Sequence, residues 1–454
     1  MKMHVQTPLR KLVRPGWAAI GAALALVLTG ISADAQIPGV NVYPAVPGLP
    51  ASTNYTVRVC AASNPSVWTN VFTFQTAVPA NPSGDYNYYS SVKGWSHSYV
   101  NFEMTVPVTV EISKVGGTIT NAAVHPARKA RNVYVSGGKV YLTMDNPCNV
   151  AVDIDGQMDS RYTGDGAPSP IHTISIHGNP VLANKPATND AGVYLVTPGT
   201  TPPATGTWTT LYFQPGVHDL GTNFQVYAGK QYYIPGDAIV YATFNNYSNN
   251  NGNNISIFGH GTLSGARFIH WVAIDPSGAL SYMQRPIDIL YGKNIRLEGI
   301  TLADSANNSI LTGSWVPEMN VTNVVSWIKI FTWRPNGDGG GCGANNDVNH
   351  CFMRTQDDGL YIQGRRVSEN VLWVDVNGAG MRLSQLPNLT SGTLMVDNID
   401  AIYSRHNWWS GSSPLELPED GGNRGSGVIF SNLNFSDPYP NGPAIAIHQG
   451  TNGA

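Results

Sequence analysis

Apolar and polar side chains alternate along this chain in short runs that do not settle into a helical period. Between residues 36 and 196 the alternating segments are Tyr55–Cys60, Val67–Phe74, Val106–Ile112, Asn132–Met144 and Val150–Ile154, separated by turn residues such as Asn64-Pro65 and Ser136-Gly137-Gly138. A period of two broken by such turns predicts a β-sandwich. Residues 197–207, rich in Thr, Pro and Gly, read as a linker. From residue 208 to 454 the pattern changes. The segments Ile255–Leu263, Ile295–Leu302, Val321–Ile330, Cys351–Arg354 with Leu360–Ile362, Val371–Val376, Leu394–Tyr403 and Val428–Phe435 recur every 20 to 30 residues, several just after an asparagine (Asn294, Asn320, Asn370). Strand formers at that repeat length predict a stacked solenoid, here a parallel β-helix, with asparagine ladders at its corners. The competing reading is one large β-sandwich, against which the strands are not spaced as hairpins. The fold class expected is therefore all-β, a sandwich followed by a β-helix.

Composition narrows the class. Charged residues make up 12% of the chain, about half of the usual ~25%, as suits strands and turns. A net charge of −3 and a pI near 6.4 argue against nucleic acid or an anionic polymer as partner. At the start, Lys2, Arg10, Lys11 and Arg14 precede an apolar run, Trp17–Leu28, and Ala33-Asp34-Ala35 forms a small-residue cleavage site. Residues 1–35 thus read as a signal peptide, the run being short for a membrane span. A secreted, soluble monomer without a membrane partner is expected. Four cysteines allow three pairings in an oxidising compartment, and sequence proximity favours Cys342–Cys351 and then Cys60–Cys148. No Cys-x-x-Cys spacing supports a metal site.

The chemistry concentrates between Trp333 and Ile362, in WRPNGDGGGCGANNDVNHCFMRTQDDGLYI. Asp338 lies between glycines, and the pair Asp357-Asp358 precedes another glycine. Asp-Gly is common at turns, so both places could be turns and nothing more. In a β-helix, however, residues one coil apart stack, and a Gly339–Asn349 insertion would return Asp338 beside the pair. Asp347 then reads as a solvated loop charge, and His350 as a loop or packing residue. Paired carboxylates serve acid/base cleavage of a glycosidic bond, one protonated and one ionised, because neighbouring charges drive their pKa values apart.

This stretch resembles glycoside hydrolase family 49, the family of dextranases and isopullulanase, in which one aspartate is followed at a similar interval by an Asp-Asp pair. The stretches Tyr212–His218 and Gly259–Gly265 also look like early coils of that β-helix clan. The resemblance implies a signal peptide, an N-terminal β-sandwich and a right-handed parallel β-helix. It also implies Asp338, Asp357 and Asp358 as the catalytic carboxylates of an inverting hydrolase. Asp357 would be the general acid, and Asp338 and Asp358 would hold and deprotonate the water, with acid and base carboxyls roughly 6.5–9.5 Å apart. No metal or organic cofactor is called for. Fewer residues follow the pair than that family carries, so the expectation is either a short β-helix or a fragment truncated at its C-terminus.

The expected partner is a neutral polysaccharide. The polygalacturonase family (28) also separates an Asp from an Asp-Asp pair, but its usual Asn-Thr-Asp reads Asn336-Gly-Asp338 here. Its Gly-His-Gly occurs only upstream, at 259–261, and no Arg-x-Lys clamp for a sugar carboxylate follows the pair. Neutral sugars stack on aromatic faces. Trp327, Trp333, Tyr361, Trp373, Trp408 and Trp409 recur on successive coils and could line a groove, and Arg382 and Gln385 could hold hydroxyls. Dextran α-1,6 cleavage is the leading reading. Cleavage of pullulan, a polygalacturonase-like hydrolase, a calcium-dependent lyase and a non-catalytic polysaccharide-binding solenoid remain open.

Overall fold

The computed structural model describes residues 37–78, 92–159, 169–248, 251–268, 284–289, 292–312, 323–334, 336–342, 346–362, 366–375, 378–382, 393–404, 415–417, 428–436 and 444–447. The expected signal peptide, Gln385, Trp408 and Trp409 lie outside these residues.

Alternation builds two facing sheets first. One runs Thr69–Val71, Tyr55–Ala61, Val108–Lys114, Lys139–Met144, Arg131–Ser136. The other runs Val40–Val42, Ser96–Met104, Thr173–Asn179, Cys148–Ile154, Ala122–His125, with Phe74–Ala77 also on Ser96–Met104. Val57, Val59, Val110, Ile112, Val140 and Leu142 meet Val100, Phe102, Val150, Val152, Ile174 and Ile176 between them. The sandwich expected from the pattern is present.

Two central strands of the second sheet show no buried-exposed alternation: every residue of Ser96–Met104 and Thr173–Asn179 is buried. Its outer face carries Phe74, Tyr99 and Ala151, which pack on Phe331, Phe352, Val371 and Trp373 of the solenoid. A sheet covered on both faces loses the polar alternation, so polar side chains on that face must bond one another. His97 accordingly reaches Thr173 and Ser175, and His177 reaches Ser175 and Asn149, each at 2.8 Å.

The rest is a parallel β-helix, each coil contributing three short strands. Ile257, Leu297, Val325, Val348, Val367 and Val396 stack in one column, Leu263, Leu302, Ile330, Met353 and Leu372 in another. A third column holds Ile287, Ile310, Gly340, Leu360, Met381 and Leu415. The inward side chains of all three fill one apolar core, coils rising ~4.8 Å apart. The asparagine ladder appears early: Asn294 Nδ2 donates to Asn254 Oδ1 at 3.1 Å. Val193–Val196 already pairs in parallel with Thr210–Phe213, so residues 197–207 join two rungs of the solenoid.

Two expectations change here. The Gly339–Asn349 stretch is no inserted loop, since Gly340–Cys342 and Asn346–Asn349 are rungs pairing with the coils before and after. The expected disulfides are also absent, Cys60, Cys148 and Cys351 being free thiols. Val59 and Ala61 face the sandwich core, so strand alternation turns Cys60 away from the sheet that carries Cys148. Cys351 points into the β-helix core, while Cys342 belongs to another side of the coil, with the rung Asn346–Asn349 between them. Burial pushes the Cys351 thiol up to about 12.

Candidate active site

Register brings the aspartates together. Gly340 pairs with Leu360, so Asp338 and Asp358, each two positions earlier, fall in one column. The Gly339 amide donates to the Asp358 carbonyl at 2.9 Å. The 20 residues from 338 to 358 are one full coil. Thr332 ties the two turns, its hydroxyl donating to the Gly337 carbonyl at 2.6 Å and accepting from the Gln356 amide at 3.0 Å. Thr355 Oγ1 donates to the Asp357 carbonyl at 2.7 Å, fixing the second turn from below.

The three carboxyls have different surroundings. Asp338 and Asp358 are buried, whereas Asp357 is partly exposed. Asp338 Oδ2 accepts the Tyr361 hydroxyl at 2.6 Å, and its buried Oδ1 has no hydrogen bond among the described residues. Burial, then the charges of Asp357 and Asp358, push the Asp338 carboxyl well above its ordinary value; the Tyr361 hydrogen bond pulls it back in part. Burial and the Asp338 and Asp358 charges raise the Tyr361 phenol, which therefore stays a donor. Asp358 Oδ1 accepts the Ala379 amide at 2.7 Å, and Oδ2 accepts Arg382 Nη1 at 3.0 Å. Asp357 Oδ1 accepts the Asp358 amide at 2.9 Å. Arrangements of this kind let one carboxyl carry a proton while a neighbour stays ionised.

Of the expected sugar contacts, Tyr361 and Arg382 stand in register one coil apart beside the aspartates, where they bond the carboxylates themselves. Trp333 and Trp373 are corrections. Both are within 1% of full burial in the seam against the sandwich. Trp333 Nε1 donates to Thr76 Oγ1 and Trp373 Nε1 to Asp375 Oδ1, each at 2.8 Å. Neither presents a face to a sugar. Trp327 sits at a coil corner at the edge of the seam sheet opposite the aspartates, stacked on His350 at 4.6 Å. Among the described residues no group of three or more His, Cys, Asp or Glu side chains is arranged to hold a metal ion.

Sequence reasoning passed over Gly378 and Ala379, although one more 20-residue period after Asp358 lands on them. Gly378 has φ +80°, and a Cβ there would lie 2.5 Å from Asp358 Oδ1 and 2.8 Å from Asp357 Oδ1. Both the left-handed backbone and the contact require glycine. Gly378→Ala should therefore displace the pair, and any activity that depends on it should fall on the order of 10²-fold; unchanged activity in a folded variant would show that the pair tolerates the shift.

No protein-family model matches the chain, and no curated protein sequence matches it. Among solved structures, Dex49A from Penicillium minioluteum is similar, with a TM-score of 0.63 and 16% identity over 91% of this chain and 86% of that one. At that identity the likeness shows the fold, a β-sandwich leading into a parallel β-helix.

Proposed function

We propose that this chain is a secreted, monomeric glycoside hydrolase that cleaves internal α-1,6 bonds of dextran with inversion. The observation that carries this reading is the stacking of Asp338 on Asp358 across one coil, with the more exposed Asp357 beside them. Asp357 reaches outward to protonate the glycosidic oxygen as the bond to C1 breaks. Asp338 Oδ1 and Asp358 hold a water, whose oxygen attacks C1 from the opposite face as its proton passes to the carboxylates. The acid role of Asp357 rests on its greater exposure, and Asp338, whose carboxyl is pushed up by burial, works as a base only above its raised pKa. The likeness in fold to Dex49A supports the scaffold, and the missing cationic clamp favours a neutral substrate over a uronate.

Purified protein incubated with dextran, pullulan and polygalacturonate, with EDTA present, tests the reading. New reducing ends from dextran, with β-anomeric product in the first NMR spectra, are expected. An α product would contradict inversion, and cleavage of pullulan alone would move the linkage to α-1,4. Release of an unsaturated product would indicate a lyase, and binding without cleavage a non-catalytic solenoid.

A pH prediction follows from Tyr361. As a base, Asp338 must lose its proton, so kcat/KM should fall as pH drops through its raised pKa. The Tyr361 hydroxyl lowers that pKa. Tyr361→Phe should therefore move the acidic limb of the profile to higher pH. A limb that stays in place or moves to lower pH would show that Asp338 does not control it.

A further inference from the structure

One corner of the β-helix places a residue of left-handed backbone on every coil. Pairing of Glu298 with Ser326, Ser326 with Asn349, Asn349 with Ser368 and Ser368 with Asp397 puts Gly299, Trp327, His350, Glu369 and Asn398 in that column. Each of the first four donates its amide to the next coil, at 3.0 to 3.1 Å. Gly299 and Asn398, at φ +79° and +53°, suit such a position. Trp327, His350 and Glu369, at φ +57°, +55° and +59°, do not. Bulky residues persist in that region only where the surroundings hold them, and such strain gathers at functional sites.

All three strained residues line the same cavity, about 280 Å³ in volume, closed on its other side by Arg128–Arg131 and Asp145–Asn149 of the sandwich. It falls just below the range for small-molecule sites, ~300–1,000 Å³, a size for one or two sugar rings of a longer chain. Its charges are compensated in place. Arg128 holds Asp400 through two hydrogen bonds, at 2.8 and 2.7 Å. Lys129 stands 3.4 Å from Asp400 and 3.9 Å from Glu369, and Arg131 pairs with Asp145 at 2.7 Å. Asp145 and Glu369 lie in the lining and Asp400 is buried behind Arg128 and Lys129, so each of the three cations already has a carboxylate partner and little charge is left to draw an anion or a metal ion. What the walls offer is donors and acceptors side by side, with an aromatic pair, Trp327 and His350, at an interplanar angle of 16°. A neutral, many-hydroxyl ligand matches that lining.

We propose that this seam cavity is a second saccharide-binding site, taking a short stretch of the same neutral glucan outside the catalytic column. The choice of glucan rests on the function proposed above. Trp327, His350 and Glu369 precede the strands Lys329–Phe331, Phe352–Thr355 and Val371–Val374, and the first two of these strands run on toward the turns of Asp338 and Asp357. The cavity and the aspartates thus occupy opposite edges of one sheet, at least a strand length apart, ~13 Å for four residues. A polymer held at the first edge raises its own concentration at the second.

The test is a calorimetric titration with isomaltotriose in an Asp357→Asn background, which prevents turnover. Two binding equivalents are expected, falling to one in both Trp327→Gly and Arg131→Ala. Trp327→Gly relieves the corner, and Arg131 is half exposed, so its loss leaves the fold intact if the tryptophan change does not. A single equivalent in the background protein overturns the proposal, as do two equivalents in either variant with wild-type circular dichroism. Dextran cleavage by the wild-type protein, measured alongside, separates the two readings. Cleavage with one equivalent removes the second site alone; two equivalents without cleavage remove the hydrolase alone.

Discussion

Asp357→Asn should reduce dextran cleavage by roughly 10²–10⁴-fold, the usual contribution of a positioned acid, while leaving the melting temperature and dextran binding nearly unchanged. Asparagine keeps the shape of the side chain and an oxygen to accept the Asp358 amide, which donates to Asp357 Oδ1 at 2.9 Å in the native chain, but it has no acidic proton to give. Because Asp357 is partly exposed, the substitution leaves no buried group stranded. A variant of wild-type activity would take the acid role away from Asp357. Measuring kcat on an activated substrate whose leaving group needs no protonation sharpens the test: the loss should shrink there, whereas a purely structural defect would affect both substrates equally.

Arg354→Met should cost about 3–5 kcal/mol of stability, the range for removing one partner of a buried ion pair. Arg354 and Asp375 are both fully buried. The guanidinium donates to Asp375 at 2.7 and 3.2 Å, to Thr173 Oγ1 at 2.6 Å, to the Pro170 carbonyl at 2.9 Å and to His97 Nδ1 at 3.0 Å. It also lies over the Trp373 ring, 4.0 Å from the centroid. Methionine fills much of the volume and leaves Asp375 with only the neutral donors Ser169, Trp373 and Gln356. Urea unfolding reads the loss. Adding Asp375→Leu should recover a large part of it, since an apolar pair avoids the stranded charge. A single-variant loss below about 1 kcal/mol would show the pair to be dispensable.

The coil repeat, the sandwich and the convergence of Asp338 with Asp357-Asp358 were legible in the sequence because each follows from spacing along the chain. The burial of Trp333 and Trp373 was not. Alternation reports that a side chain points outward from its own coil, and says nothing of a second sheet laid over that face. The cysteines misled for a related reason: nearness in sequence does not show that residues 342 and 351 occupy different sides of one coil. Trp327, His350 and Glu369 at a left-handed corner ran against residue preference, where glycine or asparagine would be expected. Gly378 was within reach by counting one period past Asp358, but only the atoms pressed against it show why it must lack a side chain.

The strand Ser96–Met104, buried along its whole length, has a consequence for melting. The second sheet of the sandwich packs on the solenoid, and both belong to one compact unit. Cutting the chain between them would open Phe331, Phe352, Val371 and Trp373 to water and break the Arg354 network at its root. Sandwich and solenoid should therefore unfold together, in a single calorimetric peak, and a lesion at Thr76 or His97 should lower the stability of the solenoid that Trp333 and Arg354 belong to.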